Sequence, residues 1–256
     1  NIMIIVLISG LITAGVGILF GLPSLRIKGF YLAVATLAAQ FFLVWLFNKV
    51  PWFYNYSDTG QITVSERLMF GIPVTGATAP PYATYLFCLT LVVLLGFAAK
   101  NLIRSKIGRS WMAIRDMDIA AEIIGVPPLK TKLSAFAISS FYIGIAGALY
   151  FAVFLGAIEV TESFDIMTIS FPVLFMIIIG GLGSMLGSFL GAAFIVTLPI
   201  GLKFMMVDLV GLSAVTAKHV EITIWGLLMI VFLIVEPHGL ARLWSIAKEK
   251  LRRWPF

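Results

Sequence analysis

The chain has 256 residues, of which 61% are hydrophobic and only 12% are charged. Soluble domains carry about 25% charged residues, so this composition excludes an ordinary soluble enzyme or binding domain. The formal net charge of +6 comes from basic residues placed between long apolar runs, which favours membrane orientation over nucleic-acid binding as their role.

Charge-free runs predict seven membrane-spanning helices. About 20 apolar residues cross the bilayer core as a helix, and a helix satisfies every backbone polar group within one such segment. We place the spans at about 2–20, 30–49, 82–99, 133–155, 166–181, 184–200 and 221–235. The sequence therefore predicts an all-α, polytopic helical bundle in which residues 1–256 form a single transmembrane domain.

The distribution of Lys and Arg predicts which segments face the cytoplasm. Fourteen of the 18 basic residues lie in segments 21–29, 100–132 and 236–256, and cytoplasmic loops carry the excess of such residues. These segments and the turn near 181–184 are therefore predicted to be cytoplasmic. The outer side receives the four remaining basic residues and five of the 12 acidic ones, namely Lys49, Arg67, Lys203, Lys218, Asp58, Glu66, Glu159, Glu162 and Asp165.

Two stripes of small residues predict close helix packing, because lipid provides no hydrophobic drive between helices. The glycine-rich stretch 180–184 also predicts a turn or a broken helix. The stripes serve either as static packing surfaces or as hinges in a transport cycle. Their residues are Ser140, Gly144 and Ala148 in the fourth span, and Gly180, Gly181, Gly183, Gly187 and Gly191 at the turn and in the sixth span.

The long cytoplasmic loop after the third span is predicted to contain two short helices, since a structureless loop of this length would be unusual. Residues 109–115 can form one helix, and residues 119–124 can form a second, with Asp118 as its N-cap. Gly125 is placed to end the second helix, and the proline pair that follows prevents its continuation.

The two loop helices are predicted to be amphipathic and to share one apolar side. This pair of loop helices, which we call the elbow, either lies on lipid headgroups or docks into a groove of a cytosolic partner. Two adjacent alanines, Ala120 and Ala121, favour the partner groove, because small residues allow close approach. The predicted apolar side consists of Trp111, Ile114, Ile119, Ile123 and Ile124.

The interior of the predicted spans contains no acidic or basic residue. Proton- and sodium-driven carriers keep ionisable groups there at a cost of about 2.5–3.5 kcal/mol each, so their absence indicates an external energy source and an uncharged solute path. Polar residues of the second and fourth spans are candidates for that path, with interhelical hydrogen bonding as the alternative role. These candidates are Tyr31, Thr36, Gln40, Ser139, Ser140 and Tyr142.

Catalytic and metal-binding residues are not expected. The single cysteine, Cys88, lies in an apolar run, and the two histidines, His219 and His238, are far apart in the sequence, so no metal site is predicted. The predicted spans also lack the clustered His, Asp and Glu, or Ser and Lys, that an intramembrane enzyme needs.

The tail 240–254 combines apolar residues with five basic ones. A helix in this tail would be amphipathic, and its basic side would suit anionic membrane lipid. A solvated basic tail is the alternative. The basic residues are Arg242, Lys248, Lys250, Arg252 and Arg253.

Four segments in order along the chain carry a family resemblance. They are 21–37 (GLPSLRIKGFYLAVATL), 108–126 (GRSWMAIRDMDIAAEIIGV), 180–187 (GGLGSMLG) and 236–240 (EPHGL). Together they resemble the LivM-type permeases of branched-chain amino acid ABC importers, within a superfamily that includes ribose-type sugar permeases. The resemblance covers nearly the whole chain. Because relatives have further N-terminal spans and the chain begins with Asn1, we expect additional spans before it.

The resemblance implies a transport subunit that works with other chains and binds no cofactor itself. A periplasmic binding protein would deliver the solute to a heterodimer of two related permeases in the bacterial inner membrane, and two cytosolic ATPase subunits would use ATP and Mg²⁺. This chain has no G-x-x-x-x-G-K-[ST] loop for phosphate. The residues that match the family's ATPase-coupling loop are Arg109, Trp111, Ile114, Arg115, Asp116, Asp118, Ala120, Ala121, Glu122 and Gly125.

Two departures from the family pattern leave the solute open. The broader importer signature E-A-A-x-x-x-G begins here with Ile119 in place of glutamate, and the outer segment 58–61 lacks the second glycine of the family. Branched-chain amino acids are the expected solutes, with other amino acids, urea or short amides as alternatives. A stand-alone secondary transporter or channel is the alternative from a different class.

Overall fold

The computed structural model describes residues 1–25, 30–57, 59–69, 71–76, 78–159, 169–209, 211, 213–235 and 239–252. Some of the predictions lie outside these residues. They concern the basic pair of segment 21–29, the start of the fifth span, the acidic residues Asp58, Glu162 and Asp165, the segment 236–238 and the end of the tail. The chain divides into two compact units, residues 1–163 and residues 164–256.

The described part of the first unit contains six helices and four short strands. The helices are α1 (Ile2–Ser24), α2 (Phe30–Lys49), α3 (Pro81–Arg104), α4 (Lys106–Asp116), α5 (Asp118–Ile123) and α6 (Pro128–Leu149). A 3-10 turn, Pro51–Tyr54, follows α2, and a π-helical segment, Tyr150–Leu155, continues α6. The strands are β1 (Gln61–Thr63), β2 (Arg67–Met69), β3 (Ile72–Thr75) and β4 (Ala157–Glu159).

The described part of the second unit contains four helices. They are α7 (Phe171–Gly180), α8 (Met185–Lys203), α9 (Ala214–Val235) and α10 (Gly239–Arg252), and a π-helical segment, Phe204–Leu209, continues α8. α7 and α8 form a tight hairpin, on which α9 and α10 both pack. Phe175, Ile179 and Ile195 form the buried core of this unit.

Helix lengths and composition confirm a polytopic helical protein. Among the described residues, five helices are long and apolar enough to cross a bilayer, and two further apolar helices, Val34–Lys49 and Phe171–Gly180, are shorter. The count of seven spans therefore stays a prediction. The helix that contains the predicted last span begins at Ala214, seven residues before residue 221. Lys218 and Glu221, three residues apart, form an ion pair within it.

α1 and α6 pack closely along small residues. A Cβ atom added to Gly17 would overlap the Ser140 hydroxyl, and one added to Gly144 would lie 2.5 Å from Thr13 Oγ1. The Ser9 hydroxyl donates a 3.1 Å hydrogen bond to the Gly144 carbonyl. The predicted stripe of the fourth span is therefore a close-packing surface against α1.

One end of the first unit gathers segments that are predicted to lie on the outer side. Ile2 and Val6 of α1 share a buried cluster with Val74 of β3, Phe87 of α3 and Ile145 of α6. β1 pairs antiparallel with β4, and β2 pairs with β3, so the loop after α2 is joined to the segment after α6. α4 and α5 contact α6 toward its N-terminus, at the opposite end.

The turn between α7 and α8 depends on glycine, as predicted. Gly183 has a φ of +80°, a conformation that favours glycine. A Cβ on Gly191 would overlap the Met176 carbonyl oxygen, and one on Gly180 would overlap the Gly187 carbonyl. The predicted stripe is correct for Gly187 and Gly191, which face α7. Gly183 belongs to the turn and not to the stripe.

The same turn is held by its neighbours on both sides. The Ser184 hydroxyl accepts a 3.1 Å hydrogen bond from the Gly187 amide and caps α8. Gly181 has a φ of +104°, and a Cβ on Gly239, at the start of α10, would lie 2.5 Å from its amide nitrogen. The backbone of α10 therefore begins in direct contact with the turn.

Gly191→Ala should destabilise the second unit, because the new methyl group would overlap the Met176 carbonyl oxygen. Overpacking of this kind costs about 1–3 kcal/mol. The thermal unfolding midpoint of the detergent-purified protein measures the effect. Gly201→Ala is the matched control in the same helix, since its added Cβ meets no described atom within 4 Å. Equal midpoints for the two variants would contradict the close packing of α7 and α8.

Candidate coupling elbow and solute path

The first loop helix, α4, is fixed to the spanning helix α6. Ser105 caps α4 by accepting a 3.4 Å hydrogen bond from the Gly108 amide. Ile114 is only 7% exposed. The Trp111 indole N–H donates a 2.9 Å hydrogen bond to the Ser134 hydroxyl of α6. An apolar contact and a directional hydrogen bond therefore set the position of α4.

The second loop helix, α5, begins one residue earlier than predicted. Asp118 is its first helical residue and Met117 is the N-cap, so the predicted N-cap at Asp118 is wrong. The Asp118 carboxylate instead lies 3.5 Å from Lys132 Nζ of α6. Gly125, with a φ of +89°, ends the helix as predicted, and its amide donates a 3.0 Å hydrogen bond to the Glu122 carbonyl.

The prediction of one shared apolar side on the elbow is wrong. Ile114 is 7% exposed and faces the fold, whereas Ile119 and Ile123 are 72% and 82% exposed. Ala121, which lies between these two isoleucines, is 3% exposed. The reason is helical geometry, since positions two residues apart lie about 200° around a helix from each other. Ala121 therefore lets α5 approach the rest of this chain, and it is not available to a partner groove.

The side of α5 that faces away from the fold exposes a set of large apolar residues, which we call the elbow patch. Charged residues lie next to it: Arg115 and Asp116 form a 2.7 Å ion pair and are both mostly exposed, and Glu122 is exposed on α5. Arg109 donates a 3.3 Å hydrogen bond to the Arg104 carbonyl on α3. The elbow patch consists of Met117, Ile119, Ile123 and Ile124.

The ten residues assigned to coupling therefore divide into two groups. Trp111, Ile114 and Ala121 face the chain's own fold. The exposed members of the set are Arg109, Arg115, Asp116, Ala120, Glu122 and Gly125, whereas Asp118 is half-buried beside Lys132. The first group attaches α4 and α5 to the chain, the second group is exposed on the two helices and the turn after them, and Asp118 belongs to neither group.

The solute-path candidates of the fourth span face different surroundings. The Tyr142 hydroxyl donates a 3.0 Å hydrogen bond to the Leu95 carbonyl of α3, and Ser140 faces Gly17 of α1. The Ser139 hydroxyl is exposed and bonds to the carbonyl three residues before it in α6. Tyr142 and Ser140 thus have interhelical contacts, which was the alternative role.

The three candidates in α2 lie along the length of that helix. Tyr31 and Thr36 are exposed, and Gln40 is half-buried. Each has at least one interaction with another group. Their place in a solute path stays a prediction.

α9 contains an ion pair beside a tryptophan ring that was not predicted from the sequence. Glu221 Oε1 lies 2.8 Å from Lys218 Nζ, and the Glu221 side chain is only 12% exposed. Lys218 also lies over the Trp225 ring, 5.7 Å from its centroid. α9 therefore contains two charged residues in its first turns, where the predicted span begins. The spacing of 218, 221 and 225 along one helical face was the available signal, but the span was drawn to begin only at Glu221.

Long apolar helices, packed through glycine and serine and joined by charged loops, define a multi-pass helical membrane protein. Residues 1–235 match the family model described as the permease component of branched-chain amino acid transport systems. The chain belongs to this family of bacterial inner-membrane permeases, whose members are transport subunits.

Curated relatives support the same family. The chain is 32% identical over 209 residues to LivM, the high-affinity branched-chain amino acid transport system permease protein, of Salmonella typhimurium and of Escherichia coli, covering 74% of this chain and 48% of each relative. It is 27% identical over 226 residues to the probable ABC transporter permease protein y4mJ of Sinorhizobium fredii, covering 84% of this chain and 64% of that relative. The chain thus spans about half the length of the LivM relatives. No solved structure matches it significantly. The resemblance to LivM-type permeases is confirmed.

Ser134→Ala should loosen the elbow, because the Trp111 indole would lose its acceptor on α6. A hydrogen bond of this kind contributes about 0.5–1.5 kcal/mol, so amide exchange across 106–116 should accelerate by about two- to tenfold when measured by mass spectrometry. Ser139→Ala is the matched control on the same helix, since its hydroxyl bonds only within α6 among the described groups. Equal exchange in both variants would show that the bond does not hold α4.

Proposed function

We propose that this chain is a permease subunit of an ATP-driven importer for branched-chain or related amino acids. The match of residues 1–235 to the permease family is the observation that supports this most strongly. In this proposal a substrate-binding protein delivers the solute, a second related permease completes the path, and two ATPase subunits supply the energy. ATP and Mg²⁺ bind to those subunits and not to this chain.

The elbow patch is the proposed docking site for an ATPase subunit. Its isoleucines are 72–82% exposed, which leaves aliphatic surface in a loop between helices. Burying each such side chain in a partner groove is favourable by about 1.5–3 kcal/mol. A lipid surface is the alternative, but exposed Asp116 and Glu122 beside the patch would be repelled by anionic headgroups. A groove in a protein partner therefore suits the mixed charges better.

The contacts of α4 support a lever mechanism. A partner that moves the elbow patch would move α4 with it, and α4 is joined to α6 by the Trp111–Ser134 hydrogen bond. α6 in turn packs on α1 with almost no side-chain layer at Gly17 and Gly144. Motion at the elbow would therefore reach α1 and α6 as a pair, as in the rocking of helices during alternating access.

The proposed orientation puts the elbow and α10 in the cytoplasm and the β-hairpin on the outer side. The basic loops support this assignment through the positive-inside rule. α10 would lie at the membrane surface, because Leu243 and Trp244 are exposed on the same helix as Arg242, Lys248 and Lys250. Such a helix suits anionic lipid.

Ile123→Glu should weaken ATPase binding without unfolding the protein, because Ile123 is 82% exposed and its replacement buries no charge in this chain. Loss of a central apolar contact at an interface costs about 2 kcal/mol, or about 30-fold in affinity. Co-purification of the ATPase subunits with the tagged permease measures the loss.

Leu68→Glu is the matched control for this experiment, since Leu68 is 59% exposed on β2, at the other end of the first unit. It should leave ATPase binding unchanged. Full retention of the ATPase subunits by Ile123→Glu would exclude the elbow patch as their docking site. Uptake that continued without ATPase subunits, and that collapsed with the membrane potential, would select a stand-alone carrier instead.

Cysteine labelling tests the orientation. In a Cys88→Ser background, a membrane-impermeant maleimide should label Leu68→Cys in intact cells, and it should label Ile123→Cys only after permeabilisation. The cells express the permease without ATPase subunits, which would cover Ile123. Both positions are exposed in the chain itself, so access then depends on the side of the membrane. The reverse pattern would contradict a cytoplasmic elbow.

A further inference from the structure

An ion pair lies inside the last spanning helix. Glu221 is seven residues after the start of α9 at Ala214, which corresponds to about 10 Å along a helix. Its side chain is 12% exposed and pairs with Lys218 at 2.8 Å. Ionisable side chains are costly within a span, and those that occur there often mark a solute or ion pathway. We therefore expect the Lys218–Glu221 pair to have a role beyond helix packing.

A cavity of about 240 Å³ adjoins this pair within the second unit. Its walls come from the end of α8, from the π-helical segment that follows and from the first turns of α9. Pro199, Ile200 and Val207 form much of its apolar wall, and Lys203 contributes a second ammonium group. Pockets for drug-sized ligands measure about 300–1,000 Å³, so this cavity suits a smaller solute.

Two charged groups of the cavity, the Lys203 ammonium group and the Glu221 carboxylate, can each form an ion pair with a ligand. Lys203 has no hydrogen-bond or ion-pair partner within the part of the chain that the structure describes. Glu221 accepts from Lys218, but a carboxylate has about four acceptor sites and can receive a second ammonium group. The cavity thus presents an available cation and a shared anion beside an apolar wall.

We propose that this cavity is a binding subsite for an aliphatic α-amino acid. The solute carboxylate pairs with Lys203, its ammonium group pairs with Glu221, and its side chain packs on the wall formed by Pro199 and Val207. Lys218 acts as a positioning residue that holds Glu221. The assignment rests on the proposed transport function, and it identifies where in this chain the solute would bind.

Protection from alkylation tests the subsite directly. The ATPase-bound transporter carries Val207→Cys in a Cys88→Ser background, is placed in liposomes without binding protein, and is labelled with N-ethylmaleimide. L-Leucine should slow the labelling. L-Leucinol lacks the carboxylate and 4-methylpentanoate lacks the ammonium group, so each should protect at least about tenfold more weakly, the usual effect of losing one charge-assisted contact.

Charge-removing variants identify the groups responsible. Lys203→Gln and Glu221→Gln should each weaken protection by leucine about tenfold or more. Lys49→Gln is the matched control, because Lys49 also occupies the last turn of a spanning helix but does not line the cavity. It should leave protection unchanged. Undiminished protection in both cavity variants would overturn the proposal.

A double variant separates binding from a purely structural ion pair. If the pair only stabilised α9, Lys218→Gln combined with Glu221→Gln would restore both thermal stability and leucine protection relative to the single variants. The subsite requires that stability recovers while protection stays weak. Recovery of protection would overturn the proposal.

Uptake on the same preparation distinguishes the two proposals. With binding protein and ATP supplied, the wild-type transporter should import leucine, and Glu221→Gln should import about tenfold less leucine per ATP hydrolysed. Normal leucine uptake by the wild type without any protection would overturn the subsite alone. Absence of leucine uptake by the wild type would count against the proposed function, whatever the protection result.

Discussion

Close approach of helix backbones is the constraint on which the rest of this structure depends. In lipid, helices gain nothing from leaving water, so they associate by close van der Waals packing. α7 and α8 meet this constraint where Gly180 and Gly191 bring their backbones into contact. α1 and α6 meet it where Gly17 faces Ser140 and Gly144 faces Thr13. α4 is attached to α6 of one pair, and α10 begins against the turn of the other.

The elbow is an example of that dependence. α4 is fixed to α6 by Trp111 and Ser134, and α6 is fixed to α1. Because the packing leaves no side-chain layer to deform, α1 and α6 are expected to move together. In the proposed coupling, a partner that binds the patch on α5 would therefore move α1 and α6 as a pair.

The secondary structure could be predicted from the sequence because charge-free runs and glycine-proline signals are local. The elbow helices, the Gly125 stop and the turn at 180–184 all depend on residues next to one another. The direction of a side chain in a short helix was harder to predict. Ala121 and Ile123 differ by two positions and point opposite ways, and only the packing of α5 on α6 decides which one is buried.

The charged cluster of α9 was missed for a related reason. A span was defined by the absence of charge, so Lys218 was assigned to a loop and the span was started only at Glu221. Their mutual pairing and the Trp225 ring under Lys218 allow the helix to continue through them. Such compensation is a tertiary effect, which composition alone does not reveal.

The contact of Gly239 with Gly181 has a consequence for how this architecture can vary. Four glycines from three helices, at 180, 187, 191 and 239, meet where any added carbon would strike backbone atoms. A change of the transported solute would not require any change at these glycines. A change of solute specificity can therefore alter side chains elsewhere, whereas these positions require glycine because of the backbone packing.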